Sequence, residues 1–250
     1  MAAKNITEVL YERIRSRILQ GEWAAGERLP AERILAAELG TNRNTLREAI
    51  RKLEQDRLVS VRHGQGVTIL DYRQTATLDV VAPFLESDAA EPVEKVRLIQ
   101  DLLFARSQVL EMAVIKACER AEKEDIFALI DASRAFGEIV GKRESAQIAE
   151  AEMRWLNILV SASHSLAVRW TANSILSLYQ RLVTRFPAIW VFVEELGSFI
   201  GRVTAAIEAG DVEVATALTR SYYRRTDMKL LETLQHLFVP TAPSRIKRHG

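Results

Sequence analysis

Apolar residues set the first rhythm of this chain. Val9, Ile14, Ile18 and Leu19 recur at near-helical spacing, with Arg13, Arg15 and Arg17 on other faces. That pattern predicts an amphipathic helix ending near Gly21, with Gly26 in the turn that follows. Pro30 then opens a second helix, which runs through Arg33 to Leu39 and is closed by Gly40. Thr41 or Asn42 caps a third, through Thr45, Leu46 and Ile50 to about Gln55. Beyond it the spacing switches from helical to alternating. Leu58-Val59-Ser60-Val61 reads as a strand, His63-Gly64-Gln65-Gly66 turns, and Val67-Thr68-Ile69 returns. Three helices followed by a hairpin wing make a winged helix-turn-helix, expected over residues 1–72.

From Asp71 the pattern weakens. Pro83, Pro92 and the small, acidic run Ser87-Asp88-Ala89-Ala90-Glu91 predict a linker over residues 73–95 with one short helix, Leu78 to Leu85. Everything afterwards reads as helix: Val96–Ala121, Glu124–Val140, Ser145–Ser161, Leu166–Phe186 stopped by Pro187, Ile189–Ala209 ended by Gly210, and Val212 to about Leu237. Six or seven helices with short connections predict an all-α bundle over residues 96–238, so the chain as a whole is mainly α. The tail, residues 239–250, carries Arg245, Lys247 and Arg248 and is expected to be disordered.

Composition narrows the class without naming a function. Of 250 residues, 48% are hydrophobic and 27% charged, ordinary values for a soluble globular protein. No uncharged apolar run reaches the ~18 residues that a membrane span needs. The first residues lack the basic-then-apolar layout of a secretory signal, so a cytoplasmic location is expected. Cys118 is the sole cysteine, which excludes an internal disulfide and any cysteine-based zinc cluster. Net charge is only +1, and residues 1–75 hold 13 Lys/Arg against 10 Asp/Glu. Nucleic-acid affinity must then come from where the arginines sit, with dimerisation multiplying each phosphate contact.

Their placement is informative. Arg43, Arg47 and Arg51 fall at i, i+4 and i+8 of the third helix, giving one face three guanidinium groups, while Leu46, Ile50 and Leu53 point inward. Asn42, Asn44 and Thr45 crowd the start of that helix, where amides, hydroxyls and free backbone N–H groups suit phosphate and base contacts. His63 and Gly64 form a hairpin tip small enough to enter a minor groove, and Arg33 can clamp the backbone.

The runs Gly26-Glu-Arg-Leu-Pro-Ala-Glu-Arg33, Asn42-Arg-Asn-Thr-Leu-Arg-Glu-Ala-Ile50 and His63-Gly-Gln-Gly66 resemble the GntR family of bacterial winged-helix regulators, over nearly all of residues 8–70. The resemblance implies DNA contacts at Arg33, Arg43, Arg47, His63 and Gly64, with Asn42, Asn44 and Thr45 setting operator preference. It also implies a homodimer on a pseudo-palindromic double-stranded operator.

The helical remainder resembles the effector domain of the FadR subfamily, many members of which hold a divalent metal through one Asp and three His. Those ligand positions fall here on Glu152, Leu156, about Ile200 and Tyr222. The four histidines, His63, His164, His236 and His249, lie elsewhere, so no metal is expected. Leu102-Leu-Phe-Ala-Arg106-Ser-Gln, Ser161-Ala-Ser-His-Ser165 and Ser177-Leu-Tyr-Gln-Arg181 most resemble the metal-free, acyl-CoA-responsive fatty acid regulators of that subfamily. The resemblance implies long-chain acyl-CoA as effector, with Arg106, Tyr179, Arg181, Tyr222 and Thr226 as candidates for the polar part of its site.

Arg106, on an otherwise apolar stretch, demands a partner from the residues alone. His164 at a helix junction reads as a capping or surface residue. Phe186–Val193, Trp155 and Trp170 read as packing. A regulator sensing a small organic or sugar acid is the alternative. An enzyme is not expected, because Glu150 and Glu152 at i, i+2 face different ways and no nucleophile–base arrangement is visible.

Overall fold

The computed structural model describes residues 6–88, 90–140, 145–185 and 193–238. They divide into two compact units, Met1–Glu91 and Pro92–Gly250. The expected aromatic segment Phe186–Val193 lies, but for its last residue, outside the described residues, as does the tail from residue 239.

The first unit runs α1 (Ile6–Leu19), α2 (Glu32–Glu38), α3 (Arg43–Gln55), β1 (Val59–Arg62), β2 (Gly66–Ile69) and α4 (Tyr72–Thr75), then a 3-10 turn (Leu78–Val80) and α5 (Val81–Glu86). Its core is the stripe that the periodicity marks out: Ile14 and Ile18 of α1, Leu35 of α2, and Leu46, Ile50 and Leu53 of α3 are buried together with Leu58, Val59, Val67 and Ile69. Gly40 makes the turn between α2 and α3. It takes a φ of +67°, open to glycine at little cost. The N–H groups of Gly40 and Thr41 then bond back to the carbonyls of Ala37 and Ala36, closing α2. Asn42 caps α3: its Oδ1 accepts from the backbone N–H of Thr45 at 2.9 Å and from the Thr45 hydroxyl at 3.2 Å.

β1 and β2 pair antiparallel, Val59 opposite Ile69 and Arg62 opposite Gly66. A third segment joins them. Leu29 donates to the Val67 carbonyl, Ile69 donates to that of Glu27, and Arg28 bridges Thr68. The residues expected as a plain turn around Gly26 therefore cover one edge of the wing. The expected helix Leu78–Leu85 is corrected to a 3-10 turn leading into α5, with α4 as an additional short helix before it.

The second unit is all-helical among the described residues: α6 (Pro92–Arg120), α7 (Lys123–Val140), α8 (Ser145–Ala162), α9 (Leu166–Arg185), α10 (Val193–Glu208) and α11 (Val212–Phe238). α6 starts four residues before the expected Val96, because Pro92 suits a first helical position, where no N–H is required. α6 packs on α8, α9 and α11, and α7 on α8 and α10. Trp155, Phe136, Leu129 and Ile200 are among the buried side chains of one continuous core. Trp155 donates its indole N–H to the Thr204 hydroxyl at 3.1 Å, satisfying the one polar atom that its burial would strand. Trp170 contradicts the packing expectation: it is 67% exposed on α9, one of the outward positions of an amphipathic helix. At Gly210, φ +66°, the chain reverses, and Asp211 caps α11 through the Val214 N–H, which holds α10 and α11 side by side.

Candidate nucleic-acid interface and a buried polar cluster

The buried face of α3 fixes which residues it offers outward. With Leu46, Ala49, Ile50 and Leu53 inside, Arg43, Asn44, Arg47 and Arg51 are exposed, as is Asn42 ahead of them. Thr45 is half-buried, its hydroxyl already bonded to Asn42. Arg47 makes an ion pair across to Glu32 of α2 at 2.9 Å, and Arg51 one to Glu48 at 2.7 Å within its own helix. Arg33 and Arg43 enter no ion pair among the described residues. Both are exposed, Arg33 one residue after Glu32.

The wing tip is a tight turn in which the Gln65 N–H returns to the Arg62 carbonyl. Gly64 and Gly66 adopt φ values of +73° and +88°, leaving His63 exposed at the apex. Behind α3, Tyr11 of α1 donates to Asp56 and accepts from Arg15 at 2.8 Å, and Lys52 pairs with Glu8. Burial, reinforced by the Asp56 carboxylate, pushes the Tyr11 phenol up to about 12, so the link stays protonated across the working pH range. These contacts hold α3 against α1.

In the second unit a polar cluster sits within the apolar bundle. Arg106 of α6 is 5% exposed and donates to Asp227 of α11 at 2.6 Å. Its guanidinium lies 4.9 Å from the ring centre of Tyr179 (α9) and 4.5 Å from that of Tyr223 (α11). Glu152 of α8, 3% exposed, accepts from the Tyr179 hydroxyl at 3.2 Å. The Arg106 Nε–H is buried with no partner among the described residues. Burial pulls the Arg106 guanidinium down, but Asp227, the two tyrosines and Glu152 together raise it further, so it stays charged. Burial raises Asp227, with Arg106 opposing.

Of the residues expected at a ligand site, Arg106 and Tyr179 are thus brought together, and Tyr222 lies beside them. Tyr222 stacks on Phe199 at 4.1 Å and meets Tyr223 edge-on at 5.1 Å. Thr226 is buried, its hydroxyl returned to the Tyr222 and Tyr223 carbonyls. Arg181 stands apart: exposed on α9, it donates to Ser177 one turn back. Asp227 and Tyr223 are additions that the sequence reading does not supply. An acid 121 residues from Arg106 leaves no local trace, although an arginine on an apolar stretch signals that such a partner exists. His164 is exposed and holds Asp125 at 2.6 Å.

The positions that the resemblance assigns to metal ligands offer one carboxylate (Glu152), one phenol (Tyr222), the aliphatic Leu156 and, at about the third position, the aliphatic Ile200. Without imidazole, this donor set does not fit a divalent transition metal. Among the described residues no group of three or more His, Cys, Asp or Glu is arranged to hold one.

Glu152 carries a pH prediction. Burial pushes its carboxyl up to about 7 from an ordinary 4.5, against the pull of Arg106 and of the Tyr179 hydrogen bond. The folded-state value is the raised one, so folding takes up a proton between those limits. The destabilisation is absent below pH 4.5, grows as pH rises, and is complete above 7, at roughly 3 kcal/mol. Glu152→Gln should therefore unfold at higher temperature than wild type at pH 8, with the difference vanishing towards pH 4.5. Parallel melting profiles for the two proteins would contradict this.

Comparison with known proteins places these features. The profile for bacterial regulatory proteins of the gntR family matches residues 6–69, and that of the FCD domain matches residues 101–225. The regulator Mce2R of Mycobacterium tuberculosis (strain CDC 1551 / Oshkosh) is 28% identical over 235 residues, covering 92% of this chain and 94% of its own. The galactonate operon transcriptional repressor of Escherichia coli (strain K12) is 28% identical over 190 residues, 75% and 78% of the two chains. The fatty acid metabolism regulator of Vibrio cholerae (strain ATCC 39541 / Classical Ogawa 395 / O395) is 30% identical over 92 residues, 37% of this chain and 32% of its own.

A solved chain of Lar, which "controls the expression of the Listeria monocytogenes agr system", superposes with a TM-score of 0.60 at 19% identity, covering 93% of this chain and 99% of that one. Regulators of this kind bind operator DNA and usually act as dimers. Among the described residues no helix is long and apolar enough to cross a membrane. The chain belongs to the gntR family of bacterial regulatory proteins, as a transcriptional regulator with a winged-helix N-terminal unit and an FCD effector domain.

Proposed function

We propose that this regulator is a homodimer whose α3 helices and wings read the two halves of a pseudo-palindromic operator, and whose operator affinity is set by long-chain acyl-CoA held in the helical unit without a metal. On the DNA side, Arg43, Asn44 and Arg47 face the major groove with Asn42 and Thr45 at its edge. Arg33 meets a phosphate, and His63 and Gly64 enter the adjacent minor groove. Effector binding passes to the DNA through residues 71–92, which join the two units in sequence, and acts only by its different affinity for two arrangements of the dimer.

The observation that carries the effector reading is the buried Arg106 cluster. Its ion pair with Asp227 is already balanced, and Glu152 sits close by as a second acid. A free carboxylate ligand would bring an uncompensated negative charge into this apolar interior. A thioester carbonyl brings none, and accepts from the unpartnered Arg106 Nε–H. The acyl chain then belongs in the aliphatic and aromatic core around Trp155, Phe199 and Tyr222.

A second reading, a small sugar or organic acid as effector, is favoured by the galactonate repressor, which aligns over three quarters of this chain. Calorimetric titration separates the two. Palmitoyl-CoA is expected to bind once per chain, with galactonate and palmitate weaker by about 100-fold or more. Galactonate binding in place of palmitoyl-CoA would overturn the acyl-CoA reading and support the second.

A paired substitution tests the DNA side. Asn42→Asp retains the cap on α3, so stability should stay within about 0.5 kcal/mol of wild type, whereas Asn42→Ala should cost about 1 kcal/mol. The aspartate also places a negative charge against phosphate, so operator affinity should fall roughly tenfold or more. Unchanged operator affinity for Asn42→Asp would remove that residue from the interface.

A further inference from the structure

The outer face of α11 gathers cations in a way that its own helix disfavours. Arg220 and Arg224, and then Arg225 and Lys229, stand at i, i+4 spacing, where like charges weaken a helix. Two adjoining depressions lie against them. One, of about 420 Å³ between α10 and α11, is bounded by Ser198, Phe199, Arg202, Ser221, Tyr222 and Arg225. The other, of about 430 Å³, shares Ser221 and Arg225 with the first and adds Arg220 and Arg224.

Their combined lining holds four arginines and, among the described residues, one carboxylate, Glu195, which accepts from Arg225 at 3.1 Å and from Lys229 at 2.8 Å. Arg220 is held by Glu111 of α6 at 2.8 Å. Arg202 and Arg224 are exposed and enter no ion pair among the described residues. Arg202 and Arg224, two guanidinium groups outside any ion pair among the described residues, together with serine hydroxyls and an aromatic wall, suit phosphate oxygens, since each guanidinium can donate two parallel hydrogen bonds to such a group.

We propose that the α10–α11 groove binds the phosphate groups of the effector, that is, the pyrophosphate and phosphomonoester of a CoA-type ligand. This rests on the acyl-CoA reading and deepens it. The arginines hold the charged end of the ligand in solvent, and the Tyr222–Phe199 pair, which lines the groove and belongs to the core, marks where the ligand passes inward.

The test is calorimetric titration of wild type and of Arg202→Ala/Arg224→Ala with CoA, palmitoyl-CoA, palmitate and inorganic pyrophosphate. Both side chains are exposed, and the Arg225–Glu195 pair is left intact, so the double variant keeps the fold, as circular dichroism checks. CoA affinity is expected to fall about tenfold or more in the variant, with a shallower salt dependence, while operator affinity without ligand stays at the wild-type value. Equal CoA affinity in the two proteins overturns the proposal, and so does pyrophosphate binding without CoA binding. Loss of operator affinity in the unliganded variant also overturns it, because the arginines would then serve DNA. The two readings fail separately. If CoA binding weakens in the variant but palmitoyl-CoA leaves the operator untouched, the groove stands and the acyl-CoA effector falls; if palmitoyl-CoA shifts both proteins alike, the effector stands and the groove falls.

Discussion

Arg106→Ala is expected to destabilise the helical unit by about 3–5 kcal/mol, more than the loss of any exposed ion pair in the molecule. The variant leaves the buried Glu152 and the half-buried Asp227 as acids with no cation between them and strips the cation from the faces of Tyr179 and Tyr223. Removing one partner of a buried pair differs from removing the pair. In Arg106→Met/Asp227→Leu both charges go and the volume is filled, so most of the loss should return. Urea unfolding followed by tryptophan fluorescence in a Trp23→Phe background reports on this unit, because the remaining tryptophans, among them Trp155 buried beside Phe199, all belong to it. Equal destabilisation of the single and double variants would show that shape, not charge balance, dominates at Arg106. Effector binding should not return in the double variant, since the Nε–H donor is gone.

Arg47→Ala carries the largest expected effect on DNA. In a dimer the substitution removes two contacts, and a good arginine contact to a base edge is worth about 1–3 kcal/mol. Operator affinity should drop on the order of 100-fold or more. Part of that loss has a second origin. In the free protein Arg47 is paired with Glu32, so the alanine leaves an uncompensated carboxylate on the surface proposed to meet DNA. Glu32→Gln separates the two contributions. It frees Arg47 and removes the negative charge, and it should tighten operator binding slightly, while Arg47→Ala/Glu32→Gln should recover a few-fold over Arg47→Ala alone. Anisotropy titrations over a range of salt concentrations check this, with the steepest salt slope expected in Glu32→Gln. An Arg47→Ala variant that binds the operator as wild type would remove α3 from the interface.

What could be read from the residues differs between the two units for a physical reason. Winged-helix architecture rests on local signals: Gly40 where a positive φ is needed, Asn42 positioned to cap, and a glycine-flanked tip between alternating strands. Each acts within a few residues, and helix-turn-helix order follows from their sequence. The Arg28–Thr68 bridge carries no such signal, because an edge of two or three residues is too short to show alternation. In the bundle, helix limits are legible to within a few residues through Gly210 and Asp211, whereas the cluster is not. Arg106 announces a need, but Asp227 lies on a helix whose exposed face also carries acids, such as Glu232, and nothing local marks the one turned inward. Trp170 shows the opposite error: its size and apolarity suggest core, yet its helix turns it outward.

A ligand in the helical unit is expected to alter what the winged helix does on DNA. The most direct check is the dissociation constant of the full-length protein for an operator selected from random DNA by the protein itself, measured with and without saturating palmitoyl-CoA. A change of about tenfold or more is expected in wild type, and none in Arg106→Met/Asp227→Leu despite its retained fold. A wild-type operator affinity that stays the same at saturating palmitoyl-CoA would contradict the coupling.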